Sequence, residues 1–161
     1  MKKIMYLLSI GLMALLLGCG SSAIVAPSQE SSQVKPADNT AVLPIEKEQN
    51  GIKVKLTKVE QDSDSLKIYV TYTNNSKEQL QENRAADKII ANGKQFDCDP
   101  QFNLDRVAKL NLPHPDWLEP GVTADDVILF SPVQGADKIN IALYPNNIRF
   151  SFENISLSTA K

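Results

Sequence analysis

The chain is poor in the residues that carry most recognisable chemistry. It has one histidine, two cysteines and one tryptophan in 161 residues. So few His and Cys leave little material for a His/Cys metal centre. Basic residues are not in excess either: 17 Lys+Arg stand against 19 Asp+Glu, a formal net charge of -2. A nucleic-acid binder needs a basic face to displace phosphate counterions, so this balance argues against that class. Seven glycines and nine prolines exclude a collagen-like chain. At 42% hydrophobic and 22% charged residues, the composition is neither that of a wholly disordered chain nor that of a multi-spanning membrane protein. No Gly-x-Ser-x-Gly elbow, no His-Glu-x-x-His and no Gly-x-x-x-x-Gly-Lys-Ser/Thr loop occurs. No nucleophile, acid or base constellation is visible, and the chain reads as a non-enzyme.

What is present starts at the N-terminus. Lys2 and Lys3 precede an uncharged, mostly apolar stretch from Ile4 to Leu17. Its 14 residues are too few to span about 30 Å of hydrocarbon comfortably as a helix. They fit the h-region of a secretory signal peptide. The stretch ends in Leu16-Leu17-Gly18-Cys19, which resembles the bacterial lipobox. A small Gly18 suits the scissile bond, and cleavage between Gly18 and Cys19 would free the Cys19 α-amine for acylation. The Cys19 thiol would carry a diacylglyceryl group. Two or more acyl chains give firm anchoring, since each buried CH₂ contributes about 0.8 kcal/mol. The expectation is a lipid-anchored protein on the extracytoplasmic side of a cell membrane. Loss of Lys2 and Lys3 takes the 17 basic residues to 15 against 19 acidic ones, so the mature chain carries -4. Lipid rather than surface charge would then hold it at an anionic membrane.

Residues 19–48 comprise the lipidated Cys19 and a stretch rich in Ser, Gln, Pro, Ala and Thr without a sustained apolar period. Such a segment buries too little to offset its ordering entropy and reads as a disordered linker. Its coil span is roughly 30 Å. The folded domain is expected over 49–161.

There the pattern turns to period two. Ile52, Val54 and Leu56 alternate with Lys53, Lys55 and Thr57. Leu66, Ile68, Val70 and Tyr72 alternate with Lys67, Tyr69, Thr71 and Thr73, after a polar turn at Gln61–Ser65. Lys77–Lys88 is ambiguous between a helical turn and an irregular crossover. Asn92-Gly93 between Lys88–Ala91 and Lys94–Phe96 is the strongest short hairpin signal. Phe102–Leu112 is mixed, with a strand expected near Arg106–Leu110. Glu119-Pro120-Gly121-Val122 suits a type II turn. Val127–Phe130 reads as a buried strand, and Ile139–Leu143 with Ile148–Phe152 as a terminal hairpin. Seven or eight short strands in about 110 residues predict an all-β, immunoglobulin-like antiparallel β-sandwich.

These features resemble a known family. They are the lipobox and polar linker, Val54-Lys55-Leu56-Thr57-Lys58-Val59, Tyr72-Thr73-Asn74-Asn75-Ser76, Gly93-Lys94-Gln95-Phe96, and Leu118-Glu119-Pro120-Gly121-Val122-Thr123 leading to Phe130 and Pro132. Over about residues 48–157 the chain is similar to the DUF4352-type domain of surface lipoproteins, mostly of Gram-positive bacteria. The shared motifs are turns and core strands. The resemblance implies an immunoglobulin-like sandwich outside the cytoplasm and carries over no catalytic residue. It is weakest around Gln79–Asp87.

Trp117 and His114, in the proline-rich loop Pro113–Gly121, are the candidate contact residues for a partner or a sugar. The bland alternative has Trp117 folded back over the open end of the sandwich, and it is the commoner fate of a Trp. His114 otherwise reads as an exposed loop residue. Asp97-Cys98-Asp99 with Asp105 offers oxygen ligands for Ca²⁺ but falls far short of a calcium loop, so no metal is expected. Asp62-Ser63-Asp64 reads as turn chemistry and Asp125-Asp126 as loop solvation. Cys98 has no basic neighbour to lower its pKa and is expected to be buried and inert. The sequons Asn74-Asn75-Ser76 and Asn154-Ile155-Ser156 are chance matches in a bacterial lipoprotein. The function implied is a non-enzymatic, membrane-tethered binding module for a protein or envelope polymer, without a cofactor. A small-ligand or metal-binding accessory lipoprotein is the alternative.

Overall fold

A computed structural model describes residues 40–159, with side chains through Leu157. The expected signal peptide, Gly18, Cys19 and most of the expected linker lie outside the described residues. Within them, eleven strands form in chain order: β1 Ile45–Gln49, β2 Ile52–Gln61, β3 Leu66–Asn74, β4 Leu80–Gln81, β5 Lys88–Ala91, β6 Lys94–Asp97, β7 Trp117–Leu118, β8 Thr123–Phe130, β9 Lys138–Leu143, β10 Phe150–Ser156 and β11 Ser158–Thr159. One α-helix, α1, spans Pro100–Leu110, and short 3-10 turns cover Arg84–Ala86 and Pro145–Asn147.

The strands make a β-sandwich, as the alternation implies. One sheet has the order β1-β2-β3-β8, with β11 added parallel to the far end of β2. The other has the order β10-β9-β5-β6. All main ladders are antiparallel. Ile52, Val54 and Leu56 of β2 and Leu66, Ile68, Val70 and Tyr72 of β3 point inward to meet Ile89, Ile141, Leu143, Phe150 and Phe152 of the second sheet. Full burial of such a side chain contributes about 1.5–3 kcal/mol. A register shift between Leu56 and Lys58 leaves Thr57 and Lys58 exposed and brings Val59 back into the core. That bulge accounts for the Val-x-Leu-x-x-Val spacing, because one extra residue restores the inward phase.

The Asn92-Gly93 hairpin forms as expected, with φ of 51° and 72° at its two residues. Gly121 takes φ 79°, and the Val122 amide donates to the Glu119 carbonyl at 3.1 Å, closing the expected turn. Three expectations are corrected. The segment read as linker through residue 48 contains β1, which pairs with β2 through a second Asn-Gly turn, Asn50-Gly51. The strand expected near Arg106–Leu110 is part of α1. Asp99 caps that helix by accepting from the amides of Gln101 and Phe102, Pro100 opens it, and Asn111 in the left-handed region closes it. The helix packs Val107 against Val127 and Leu129 on the outer face of β8, while Ile128 and Phe130 face the sandwich core. The continuous apolar run of β8 is therefore covered on both sides. Third, Asp126 is not a solvated loop residue: it lies on the inward face of β8 and is fully buried.

The chain joins the sandwich beside Ile155, where Ala41 donates to the Asn154 carbonyl at 3.0 Å. The turns at Asn50-Gly51 and Gly121 and the small β4–β7 ladder lie at the opposite end. Among the described residues no helix is long and apolar enough to cross a membrane.

Candidate functional site

Asn74 builds the far end of the sandwich. It is fully buried at the close of β3. Its amide nitrogen donates to the carbonyls of Glu78 and Leu118 at 2.8 and 2.9 Å, and its oxygen accepts from the Ser76 amide and hydroxyl. This one side chain ties β3 to the segments that carry β4 and β7. Leu80 and Leu118 are buried beneath that ladder. Period two then turns their neighbours Gln81 and Trp117 outward and opposite each other. Trp117 is 58% exposed. The capping reading, with Trp117 folded into the sandwich, is corrected: Leu118 fills that place.

Trp117 borders an open cleft of about 430 Å³ between the β4–β7 ladder and the start of α1. Leu104, 45% exposed, and Pro100 come from the helix, and Pro115 and Asp116 from the loop before β7. His114, Arg84 and Glu82 complete the wall. The structure thus brings both sequence-nominated residues, Trp117 and His114, to one cleft. His114 is mostly buried rather than exposed, and its Nδ1 lies 3.1 Å from Arg84 Nη2 and 3.4 Å from Asp126 Oδ1.

Behind the cleft lies a buried charge cluster that the sequence reading missed. Arg84 forms a direct ion pair with Asp126. Its Nη1 is 3.4 Å from Glu82 Oε2 and 3.6 Å from Asp87 Oδ2. One guanidinium therefore faces three carboxylates. Asp87 also accepts from the Tyr144 amide at 2.8 Å. Among the described residues, both Glu82 oxygens, Asp87 Oδ2 and the Tyr72 hydroxyl lack a well-formed hydrogen bond. Burial pushes the Glu82 carboxyl up to about 8, opposed by Arg84 and reinforced by Asp126 and Asp87. Burial likewise lifts Asp87 to about 7, against the pull of Arg84. Burial works against the charge on Arg84, but Asp126 and Glu82 outweigh it and hold the guanidinium firmly protonated. Only Asp126 carried a sequence signal, since it shares the strand parity of Ile128 and Phe130. Glu82, Arg84 and Asp87 sit in irregular backbone where no period points inward.

The remaining candidates are dispersed. Cys98 is a buried free thiol whose pKa is pushed up to about 12, chiefly by burial. Asp99 is the α1 cap, and Asp97 accepts from Gln95 at 2.7 Å. Asp105 accepts from Gln101 at 2.8 Å within the helix. Asp62 accepts from Lys67 and from the amides of Asp64 and Ser65, which is turn chemistry. Among the described residues no group of three or more His, Cys, Asp or Glu is arranged to hold a metal ion.

The architecture places the chain among antiparallel β-sandwich proteins. No family model matches it, and no curated protein sequence does. Among solved structures it is similar to the yjhA protein from Bacillus subtilis, with a TM-score of 0.51 and 12% identity, over 71% of this chain and 96% of that one. At that identity the likeness is one of fold.

Proposed function

We propose that the chain is a lipid-anchored extracytoplasmic lipoprotein whose β-sandwich is a non-enzymatic binding module, with the Trp117 cleft as its contact site. The anchor is the acylated Cys19 after cleavage at Gly18. The lipobox, the polar segment behind it and the resemblance to DUF4352-type surface lipoproteins support that placement. The observation that carries the binding reading is the exposure of Trp117. A large aromatic held in solvent by a well-packed ladder, beside an exposed Leu104, is the composition of a contact hot spot. The partner is a protein or an envelope polymer.

Membrane fractionation and crosslinking on intact cells test both halves. Cys19→Ser should move the chain out of the membrane fraction, and Trp117→Ala should abolish partner crosslinks while leaving the chain anchored. Retention of Cys19→Ser in carbonate-washed membranes contradicts the anchor.

The alternative, a small-ligand accessory lipoprotein, is favoured by one feature. The cleft volume falls within the range of small-molecule sites, and polar groups from Glu82, His114 and Asp116 converge on its apolar wall.

A further inference from the structure

We propose that the Trp117 cleft takes an organic ammonium group, as carried by a lysine side chain, a polyamine or a quaternary amine. The inference rests on the cleft being the contact site and names the chemistry that it recognises.

Three observations converge. The first is the indole itself. Trp is the strongest aromatic partner for a cation, and Trp117 offers its ring to solvent at the cleft. The second is the imbalance of charge behind the wall. Glu82, Asp87 and Asp126 surround the single guanidinium of Arg84, which is engaged by Asp126. The Glu82 side chain is only 3% exposed and lines the cleft, and among the described residues the only cation beside it is Arg84, with Nη1 3.4 Å from Oε2. Burial opposes the charged form of Glu82, and a further cation in the cleft would favour its ionisation. The third is the rim, where Asp116 adds an exposed carboxylate and, among the described residues, no lysine lines the cleft.

An anionic ligand fits this site poorly. Arg84 Nη1 lies between Glu82 and Asp87, whose carboxylates repel an anion. A bare metal ion fits no better, since the carboxylates are arranged around the guanidinium rather than around an open position. A neutral sugar would use Trp117 and Gln81 but gain nothing from the charge.

Recognition of a cation by this cleft is linked to protons. Glu82 faces Arg84 and Asp87 from its own segment, Tyr72 from β3 and Asp126 from β8, while His114 from the loop faces Arg84 and Asp126. Ionisation of Glu82 and Asp87 strengthens the hold on an ammonium group, so affinity rises with pH across the range where these two carboxyls titrate.

The test uses the full chain solubilised in detergent. Trp117 is the only tryptophan, so its fluorescence reports the cleft alone. Tetramethylammonium, N-acetyl-lysine methylamide and spermidine are titrated against sodium chloride at matched ionic strength and against a neutral disaccharide. The expected result is a saturable fluorescence change with at least one amine, whose rank order identifies the source of the ammonium group. Affinity should increase severalfold from pH 6 to pH 9. Glu82→Gln, which mimics the protonated carboxyl and keeps the fold, should weaken the amine at pH 9 and flatten the pH dependence. Trp117→Ala, followed by calorimetry, should abolish binding. Amines that act no differently from sodium chloride overturn the proposal, as does an equal response to the neutral disaccharide. If amines fail while cell-surface crosslinks at the cleft persist, the ammonium assignment falls and the binding-module reading stands.

Discussion

Arg84 and Asp126 are ion-paired inside the protein, joining the 3-10 turn after β4 to the inward face of β8. Arg84 also lines the wall of the Trp117 cleft, so the pair anchors that wall to β8. Its neighbours Glu82 and Asp87 depend on the same guanidinium. Arg84→Met should therefore destabilise the domain by about 3–5 kcal/mol, because buried Asp126 loses its ion-pair partner and Glu82 and Asp87 lose the charge that favours their ionised forms. Glu82→Gln should cost much less. Urea denaturation of the three proteins gives the comparison, and equal losses would show that the cluster does not act through charge.

The same cluster sets a pH dependence. The folded-state values of Glu82, about 8, and Asp87, about 7, lie above their ordinary values of 4.5 and 3.8. Between about pH 4 and pH 8 the unfolded chain has released these protons while the folded chain retains them. Stability should consequently fall as pH rises through this window and level off above it. Asp62 works in the opposite sense. Lys67 and the amides of Asp64 and Ser65 lower its pKa, so its small, solvent-screened contribution disappears as pH falls below about 4. Thermal melts from pH 3 to pH 9 should show a maximum in mildly acidic solution. The alkaline slope should flatten in a Glu82→Gln/Asp87→Asn double variant.

Gly51 is a purely conformational determinant. It takes φ 74°, and a Cβ there would lie 3.0 Å from the Ser76 backbone nitrogen. Gly51→Ala should cost about 1–2 kcal/mol from the left-handed backbone alone, with the contact adding to it. Gly93 has φ 72° but open space around it, so Gly93→Ala should cost less. Chemical denaturation that ranks the two in the reverse order would contradict this reading of the turns.

Trp117 should be dispensable for folding. Its exposed ring covers no core, so Trp117→Ala should change stability by less than about 0.5 kcal/mol. Acrylamide should quench its fluorescence readily, as expected of a side chain more than half exposed. Strong protection would place the ring against the protein.

The sandwich was legible because strands with one wet face alternate in period two, and β2, β3, β9 and β10 do so plainly. Its closing hairpin was legible because Asn92-Gly93 has one dominant use. The helix was not, although Asp99-Pro100 and Asn111 are its start and stop signals. Its apolar contact with β8 rests on Val107 and Phe102, with Leu112 just past its end, too few residues to show a helical period. β1 was hidden because Ile45–Gln49 is a charged edge strand with mostly exposed residues, which reads like linker. Half of the candidate site was visible as an aromatic and a histidine in a proline-rich loop. The charge cluster was not, because Glu82, Arg84 and Asp87 are charged residues in irregular backbone and only tertiary packing buries them.

The central claim is that the Trp117 cleft is where this protein meets its partner. It is tested most directly by a photo-crosslinking side chain placed at Asp116, beside the indole, in the full chain on intact cells. A matching chain carries the probe at Lys94 on the β5–β6 hairpin. The account predicts a discrete crosslinked species from position 116, absent from position 94 and lost when Trp117 is also changed to Ala. Equal crosslinking from both positions, or a species from position 116 that survives Trp117→Ala, would contradict it.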